Sequence, residues 1–220
     1  MYHYILFDLD GTLTDPKEGI TNSVAYALKY YGIIENPDKL IPFIGPPLHE
    51  SFMVYYGFGA DKAMEAVEKY REYFADRGIF ENKLYPGTEA LLKVLRAEGK
   101  KLALATSKPQ VFAQQILEYF HIDKYFDVVA GSSLDGSRTK KSEVIEEVFA
   151  RFAVLDGKLP DKSECVMVGD RLHDIEGAKT AGIESIGVTF GYGGRKELSE
   201  AGADFIADSF EEVKKRIDNR

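Results

Sequence analysis

The chain has 220 residues, of which 45% are hydrophobic and 29% are charged, and these ordinary proportions exclude an extended disordered protein. The net charge of −8 at pH 7 argues against a general nucleic-acid binder and against a protein that binds anionic membranes. It does not exclude a small phosphorylated ligand, because a single site can be locally positive. Cys165 is the only cysteine, so no intrachain disulfide can form.

The beginning of the chain is typical of a strand. Two aspartates interrupt its apolar residues and no basic segment precedes them, so we do not expect a secretory signal. No apolar run approaches the roughly 18 residues that a membrane-spanning helix needs. We therefore expect a cytoplasmic protein that does not bind membranes.

Short apolar runs alternate with amphipathic segments along most of the chain. The runs predict strands at 4–7, 101–105, 126–130, 165–168 and 185–189, with a weaker sixth at 204–207. The amphipathic segments predict helices at 87–97, 109–120, 141–152, 174–181 and 210–217. This alternation predicts an α/β fold with a Rossmann-like parallel sheet and helices on both faces.

The region between the first two predicted strands shows helical periodicity only. Asp15 is expected to cap a first helix with Pro16 at its first position, and residues 60–75 form a second amphipathic segment. We therefore expect an α/β core made of 1–14 and 84–220, with a helical cap at 15–83 inserted after the first strand.

Two aspartates follow the first predicted strand. Asp8 and Asp10 are two positions apart, so their side chains point the same way. They lie at the carboxyl end of the strand, where open α/β sheets bind ligands. Two close carboxylates repel each other, which predicts a divalent cation, a shared proton or both. An acidic turn that ends a strand would have the same sequence.

The string Asp8-Leu9-Asp10-Gly11-Thr12-Leu13-Thr14-Asp15 resembles the first signature of the haloacid dehalogenase-like hydrolase superfamily. The resemblance extends over essentially the whole chain and is closest to the phosphoglycolate phosphatase and 5′-nucleotidase-like branch with a helical cap. It implies a phosphatase in which Asp8 attacks phosphorus and forms an aspartyl-phosphate. It further implies that Asp10 is the general acid and then the base, and that Gly11 belongs to the substrate-binding loop.

A second element, Ala105-Thr106-Ser107-Lys108-Pro109, follows the second predicted strand. Pro109 suits the first turn of the next helix, so free backbone N–H groups are expected near the two hydroxyls. An ordinary helix cap would have the same sequence. The resemblance implies that Thr106 binds phosphate, and Ser107 lies in the same loop.

A third element, Arg138-Thr139-Lys140-Lys141-Ser142, places lysines before a predicted helix. One lysine could neutralise phosphoryl oxygens and hold the nucleophile, although a solvated basic turn has the same composition. The family signature requires one lysine. Its spacing to the following apolar residues favours Lys141, and Lys140 remains an alternative.

A fourth element, Val168-Gly169-Asp170-Arg171-Leu172-His173-Asp174, ends another predicted strand. The resemblance implies that Mg²⁺ is bound by Asp8, the backbone carbonyl of Asp10 and Asp170. Oxygen ligands of this kind suit that ion. Asp174 is expected to support the site or to pair with Lys141.

Several other functions share parts of this pattern. A dehalogenase of the superfamily would lack Asp10, a sugar-phosphate mutase would use the same four elements, and a phosphonate hydrolase would need a cap lysine. A non-catalytic phospho-ligand binding protein is the alternative from another class, and it would be expected to lose one of the four elements. We expect a small phosphorylated metabolite as substrate, and we expect residues 43–51 to form a loop in which His49 contacts it. A homodimer is compatible with the sequence.

Overall fold

A computed structural model describes residues 1–134, 138 and 140–219. The chain divides into two compact units, one of Met1–Thr14 with Leu84–Arg220 and one of Asp15–Lys83. None of the described helices is long and apolar enough to cross a membrane.

The first unit contains a six-stranded sheet. Its strands are β1 (Tyr4–Phe7), β4 (Lys101–Pro109), β5 (Val128–Ser132), β6 (Cys165–Gly169), β7 (Glu184–Val188) and β8 (Phe205–Ala207). They lie in the order β5-β4-β1-β6-β7-β8, and every pair of neighbouring strands is parallel, which confirms the predicted α/β fold. A separate two-stranded sheet consists of β2 (Thr14–Asp15) and β3 (Lys83–Leu84).

Helices of the first unit follow most of these strands, and they begin and end close to the predicted bounds. They are α4 (Thr88–Ala97), α5 (Gln110–Tyr119), α6 (Lys141–Asp156), α7 (Leu172–Ala181), α8 (Gly194–Glu200) and α9 (Phe210–Asp218). The sequence did not predict α8. It also placed the start of α7 two residues too late.

One face of the sheet packs against α6 and α7. Leu6, Ala103 and Met167 lie in a fully buried cluster with Val148 of α6 and Ala178 of α7. The intervening strand residues are equally buried, which is why the central strands read as nearly continuous apolar runs. Removing this apolar surface from water is the main force that stabilises the sheet.

The strand order places a topological switch point between β1 and β6. From β1 the chain continues to β4 and β5 on one side, and after returning to β6 it continues to β7 and β8 on the other. Ligands of open α/β sheets bind in the crevice at the carboxyl ends of two such strands. Asp8 directly follows β1, and Asp170 directly follows β6.

The strand β4 is longer than the sequence predicted. We expected it to end at Ala105, but it continues to Pro109, with an irregular register between these two residues. Pro109 consequently caps α5 with an extended backbone. The prediction that Pro109 lies in the first turn of this helix was wrong. Thr106, Ser107 and Lys108 therefore lie in a bulged strand extension, a device that often redirects side chains near functional sites.

The second unit is helical. It contains α1 (Lys17–Tyr30), a 3₁₀ segment (Pro37–Phe43), α2 (Leu48–Tyr56), α3 (Ala60–Tyr73) and a π-helical turn (Phe74–Gly78). Each of α1 and α3 buries one apolar face, which includes Val24 and Leu28 of α1 and Ala63 and Val67 of α3. Tyr31, which directly follows α1, is partly exposed. Asp15 was expected to cap α1, but the cap is Pro16, and Asp15 Oδ1 accepts a hydrogen bond from the backbone N–H of Lys17.

Candidate active site

The segment after β1 is held against β6 and folded into a tight turn. The backbone N–H of Asp8 donates to Val168 O at 2.9 Å, which continues the strand pairing by one residue. The carbonyl of Leu9 then accepts from three successive N–H groups, those of Thr12, Leu13 and Thr14. This turn fixes the backbone on which the two aspartates stand.

Gly11 is required in this turn for two reasons. Its φ of +83° is a left-handed conformation that residues with a side chain rarely adopt. A Cβ atom at this position would also lie 2.2 Å from Asp170 Oδ2. The carboxylate of Asp170 therefore packs directly on the bare backbone of Gly11.

Three buried carboxylates converge at the ends of β1 and β6. Carboxylate oxygens of Asp8, Asp170 and Asp174 lie within 4.8 Å of one another. Asp170 accepts a hydrogen bond from the backbone N–H of Tyr192 at 2.7 Å and one from Thr12 Oγ1 at 3.4 Å. Asp174 accepts from the backbone N–H of Arg171, which orients it at the start of α7.

Lys141, at the first position of α6, lies among these carboxylates. Its Nζ is 2.9 Å from Asp8 Oδ1 and 2.7 Å from Asp174 Oδ1, and its side chain is 4% exposed. It donates a hydrogen bond to Ala105 O at 2.9 Å. Of the two lysines that the sequence left open, the structure therefore brings Lys141 to Asp8, whereas Lys140 is exposed. Thr139 of the predicted motif lies outside the described residues.

Negative charge exceeds positive charge in this cluster. Burial raises the pKa of Asp170 well above its usual value, and Asp174 and Asp8 raise it further. Burial likewise raises the pKa of Asp174 to about 6, with Lys141 opposing and Asp8 adding to the rise. Burial alone would lower the pKa of Lys141, but Asp174 and Asp8 raise it above its ordinary value.

Lys108 contacts a predicted catalytic residue, and the sequence analysis did not assign it to the site. Its Nζ lies 2.6 Å from Asp10 Oδ2, and its side chain is 6% exposed. Burial raises the pKa of Asp10, Lys108 opposes this rise, and Asp8 adds to it. Lys108 was part of the quoted second element, but the predicted end of β4 at Ala105 gave no reason to place its side chain in the site.

The two hydroxyl residues of the second element differ in exposure. Thr106 is buried and its Oγ1 accepts a hydrogen bond from the backbone N–H of Lys108, at 3.3 Å. Ser107 is half-buried. Both follow the β4 residues paired with β1, so they lie at the same edge of the sheet as Asp8. Their contact with a phosphate stays a prediction.

The donors present suit a hard divalent cation. The Oδ1 atoms of Asp8, Asp10 and Asp174 are buried without a hydrogen-bond partner. Those of Asp8 and Asp174 lie within ion-pair distance of Lys141 Nζ. When all are ionised, the four aspartates and the two lysines of the site carry a net charge of −2. Carboxylate oxygens with this excess charge are the ligands that Mg²⁺ prefers.

An ion pair behind the site supports the segment after β6. Arg171 Nε donates to Glu197 Oε1 at 2.8 Å, and the same oxygen accepts from the backbone N–H of Leu172. Glu197 belongs to α8, the helix that the sequence did not predict. It satisfies a free N–H at the start of α7 and thereby helps to fix the backbone between Asp170 and Asp174.

His49, predicted to contact substrate, belongs to the second unit. The segment 43–51 was expected to be a loop, but its second half forms the first turn of α2. His49 is partly exposed on that turn. Its contact with substrate stays a prediction.

Residues 5–188 match the family described as haloacid dehalogenase-like hydrolase. A 5′-nucleotidase from Pseudomonas aeruginosa is 48% identical over 90% of this chain and 87% of its own length. A phosphoglycolate phosphatase from Vibrio parahaemolyticus is 32% identical over 95% and 93%. A tyrosine-protein kinase, PtkA, from Mycobacterium tuberculosis is 42% identical over 86% of this chain, but this covers only 62% of the kinase.

The fold is also similar to solved structures. The crystal structure of a predicted phosphatase from Clostridium acetobutylicum superposes with a TM-score of 0.93. The two sequences are 47% identical, and the match covers 100% of both chains.

Proposed function

Because the chain belongs to the haloacid dehalogenase-like hydrolase family and is a phosphatase of that family, we propose that it hydrolyses 5′-nucleoside monophosphates through a phosphoryl intermediate on Asp8. The observation that carries the proposal is the position of Asp8. This carboxylate lies at the switch point of the sheet, beside Lys141 and within 4.8 Å of two further carboxylates. A carboxylate nucleophile divides hydrolysis into two easier displacements.

The first displacement forms the phosphoryl-enzyme. A carboxylate oxygen of Asp8 bonds to phosphorus as the bond from phosphorus to the ester oxygen breaks. Asp10 gives its proton to that departing oxygen, so the nucleoside leaves as a neutral alcohol. Burial raises the pKa of Asp10, which favours the protonated form that this step requires.

The second displacement regenerates Asp8. Asp10, now a carboxylate, accepts a proton from a water molecule as the water oxygen bonds to phosphorus. The bond between phosphorus and Asp8 breaks, and inorganic phosphate leaves. Lys141 stays beside Asp8 in both steps, where its ammonium group offsets the negative charge of the phosphoryl oxygens. We assign Thr106, Ser107 and the backbone at Gly11 to the binding of those oxygens.

We propose Mg²⁺ as the cofactor, held by Asp8, Asp170 and the backbone carbonyl of Asp10, with Asp174 in support. When bound, the cation supplies positive charge that offsets the repulsion between the substrate phosphate and the acidic cluster. The orphaned Oδ1 atom of Asp8 supports this assignment.

The 5′-nucleotide assignment is supported by the relative with 48% identity over most of both chains. Phosphoglycolate is the second candidate, supported by the more distant relative of that name. Both substrates are small phosphomonoesters, and we propose that the protein acts on them in the cytoplasm.

A substrate panel tests the proposal. Phosphate release is measured with 5′- and 3′-nucleoside monophosphates, phosphoglycolate, hexose phosphates and pyrophosphate, with Asp8→Asn as the matched inactive control. We expect the highest kcat/KM for a 5′-nucleotide and no activity in excess chelator until Mg²⁺ is restored. A higher kcat/KM for phosphoglycolate would transfer the assignment to the second candidate. Activity of Asp8→Asn equal to wild type would refute the covalent route.

A further inference from the structure

Two lysines divide the four aspartates of the site into separate groups. Lys141 lies between Asp8 and Asp174, whereas Lys108 pairs with Asp10. The carboxylate oxygens that lie within 4.8 Å of one another belong to Asp8, Asp170 and Asp174, and Asp10 is not among them. Asp10 is nevertheless close enough to Asp8 for the two charges to interact.

This division matters for the chemistry of Asp10. A divalent cation at the three-carboxylate group attracts every nearby carboxylate, and in a buried site this attraction is much stronger than in water. A side-chain carboxylate drawn to the cation would have its lone pairs engaged there. It could then neither give a proton to the leaving oxygen nor take one from water. A reaction that needs Asp10 as acid and base therefore needs an interaction that holds the Asp10 side chain away from the cation.

The fold positions Lys108 to hold the Asp10 side chain in this way. The irregular register of β4 between Ala105 and Pro109 places Lys108 in the bulged extension. The backbone of Lys108 is fixed there by Thr106 Oγ1, which accepts from its N–H, and by Gly131 of β5. A Cβ atom on Gly131 would lie 2.5 Å from Lys108 O, so the two backbones are in direct contact.

Burial of the ammonium group supports a functional role. Removing a lysine ammonium group from water is costly, and a buried ion pair is weak evidence for stabilisation because its attraction often only offsets that cost. The Lys108 side chain is 6% exposed and that of Asp10 is 12% exposed, so both charges have been removed from most of the solvent. An apolar residue in the bulge would fill the same space without this cost.

We propose that Lys108 is a positioning residue that holds the Asp10 carboxylate apart from the Asp8, Asp170 and Asp174 group and directs it toward the leaving oxygen. The inference rests on the proposed function and deepens it. Because Lys108 acts on catalysis through Asp10, the catalytic effect of replacing Lys108 should depend on the presence of the Asp10 carboxylate.

The test combines two substrates with two backgrounds. Lys108→Met and Lys108→Arg are made in the wild-type chain and in Asp10→Asn. For adenosine 5′-monophosphate and p-nitrophenyl phosphate, kcat is measured together with the single-turnover rate of the first displacement, because the second displacement needs Asp10 with both substrates. The nucleoside is a poor leaving group that needs the acid, whereas p-nitrophenolate leaves without a proton. We expect Lys108→Met to lower the single-turnover rate for the nucleotide by about 10²-fold, within the range for general acid–base catalysis, and that for the aryl ester by a clearly smaller factor. Lys108→Arg should recover most of the loss.

The Asp10→Asn background identifies the partner. Once the carboxylate is gone, Lys108→Met should cause no further loss with either substrate. Equal losses in both backgrounds, or a rise in KM with kcat unchanged, would overturn the proposal and show that Lys108 binds substrate directly. An unchanged kcat in Lys108→Met would overturn it as well.

A binding measurement separates positioning from a general structural role. Titration calorimetry with Mg²⁺ alone should show that Lys108→Met binds the ion at least as tightly as wild type, because Asp10 becomes free to approach it. Weaker binding would overturn the proposal. Circular dichroism checks folding, and Lys108→Gln replaces the methionine variant should that one not fold. Failure of the proposed function has a different signature, since wild type and Asp8→Asn would then release phosphate at the same rate whatever stands at position 108.

Discussion

Replacement of Gly11 by alanine, compared with the same replacement at Gly99, should distinguish the effect of backbone strain from the effect of displacing the Asp170 carboxylate. The new Cβ atom would lie 2.2 Å from Asp170 Oδ2, 2.6 Å from its Cγ and 2.8 Å from its Oδ1. Gly99→Ala is a matched control, because Gly99 has a nearly equal φ of +77° and its added Cβ would meet nothing within 4 Å. Both glycines belong to the first unit.

The magnitudes follow from these distances. A left-handed conformation costs a residue with a side chain roughly 1–2 kcal/mol, so both variants should lose about that much stability. Only Gly11→Ala must also move a carboxylate, by roughly 1 Å if the 2.2 Å contact is to relax to the 3.0–3.4 Å range that tight Cβ contacts tolerate. A misplacement of about 1 Å at a catalytic group can lower the rate about 10²-fold.

Urea denaturation and phosphate release measure the two effects separately. We expect similar stability losses from the φ strain, with a kcat loss of about 10²-fold and weaker Mg²⁺ activation in Gly11→Ala alone. Equal kcat in Gly11→Ala and Gly99→Ala would show that contact between residue 11 and Asp170 does not govern the site. A large kcat loss in Gly99→Ala would show that the strain alone is transmitted to the site, which would also refute the reasoning.

Four further outcomes are expected. Asp8→Asn should keep the fold and lower kcat on the order of 10⁴-fold or more, measured by phosphate release. In chelator, Asp174 should contribute about 1–3 kcal/mol of added stability as the pH falls from about 7 to about 4. Its pKa of about 6 lies above that of the unfolded chain, so the folded protein takes up the proton first; urea titrations that show no difference between wild type and Asp174→Asn would contradict this. The thiol of Cys165 is fully buried and burial raises its pKa to about 12, so Ellman's reagent should label it only after unfolding. His49→Ala and Leu48→Ala should change kcat/KM unequally among phosphate esters, and an identical factor for every ester would exclude a role in selectivity.

The elements of the core were largely predictable because their signals are local. The strand at Tyr4–Phe7 was predicted with its observed bounds, since a short apolar run before two aspartates admits few other structures. Helix α8 was not predicted because only one of its residues, Leu198, is buried, so its sequence shows no apolar periodicity. The first turn of α2 was mistaken for a loop because Pro46 and Pro47 precede it.

The site was predictable wherever a residue follows a strand directly. Asp8 and Asp170 adjoin their strands, so strand prediction alone placed them at one edge of the sheet. Lys108 could not be found in this way. Its position depends on the bulge that extends β4 and on the backbone contact with Gly131, and both are set by pairing between strands distant in sequence. The support from Glu197 likewise depends on a tertiary contact with Arg171.

The most direct test of the covalent route is to locate the transferred phosphoryl group. Asp10→Asn is incubated with p-nitrophenyl phosphate and Mg²⁺ and quenched in acid, and its peptides are analysed by mass spectrometry. The aryl ester needs no acid in the first displacement, whereas the second lacks its base, so the intermediate should accumulate. We predict one phosphoryl group per chain on Asp8 and none in a variant that also carries Asp8→Asn. Sustained phosphate release without label on Asp8, or label on another residue, would contradict the account.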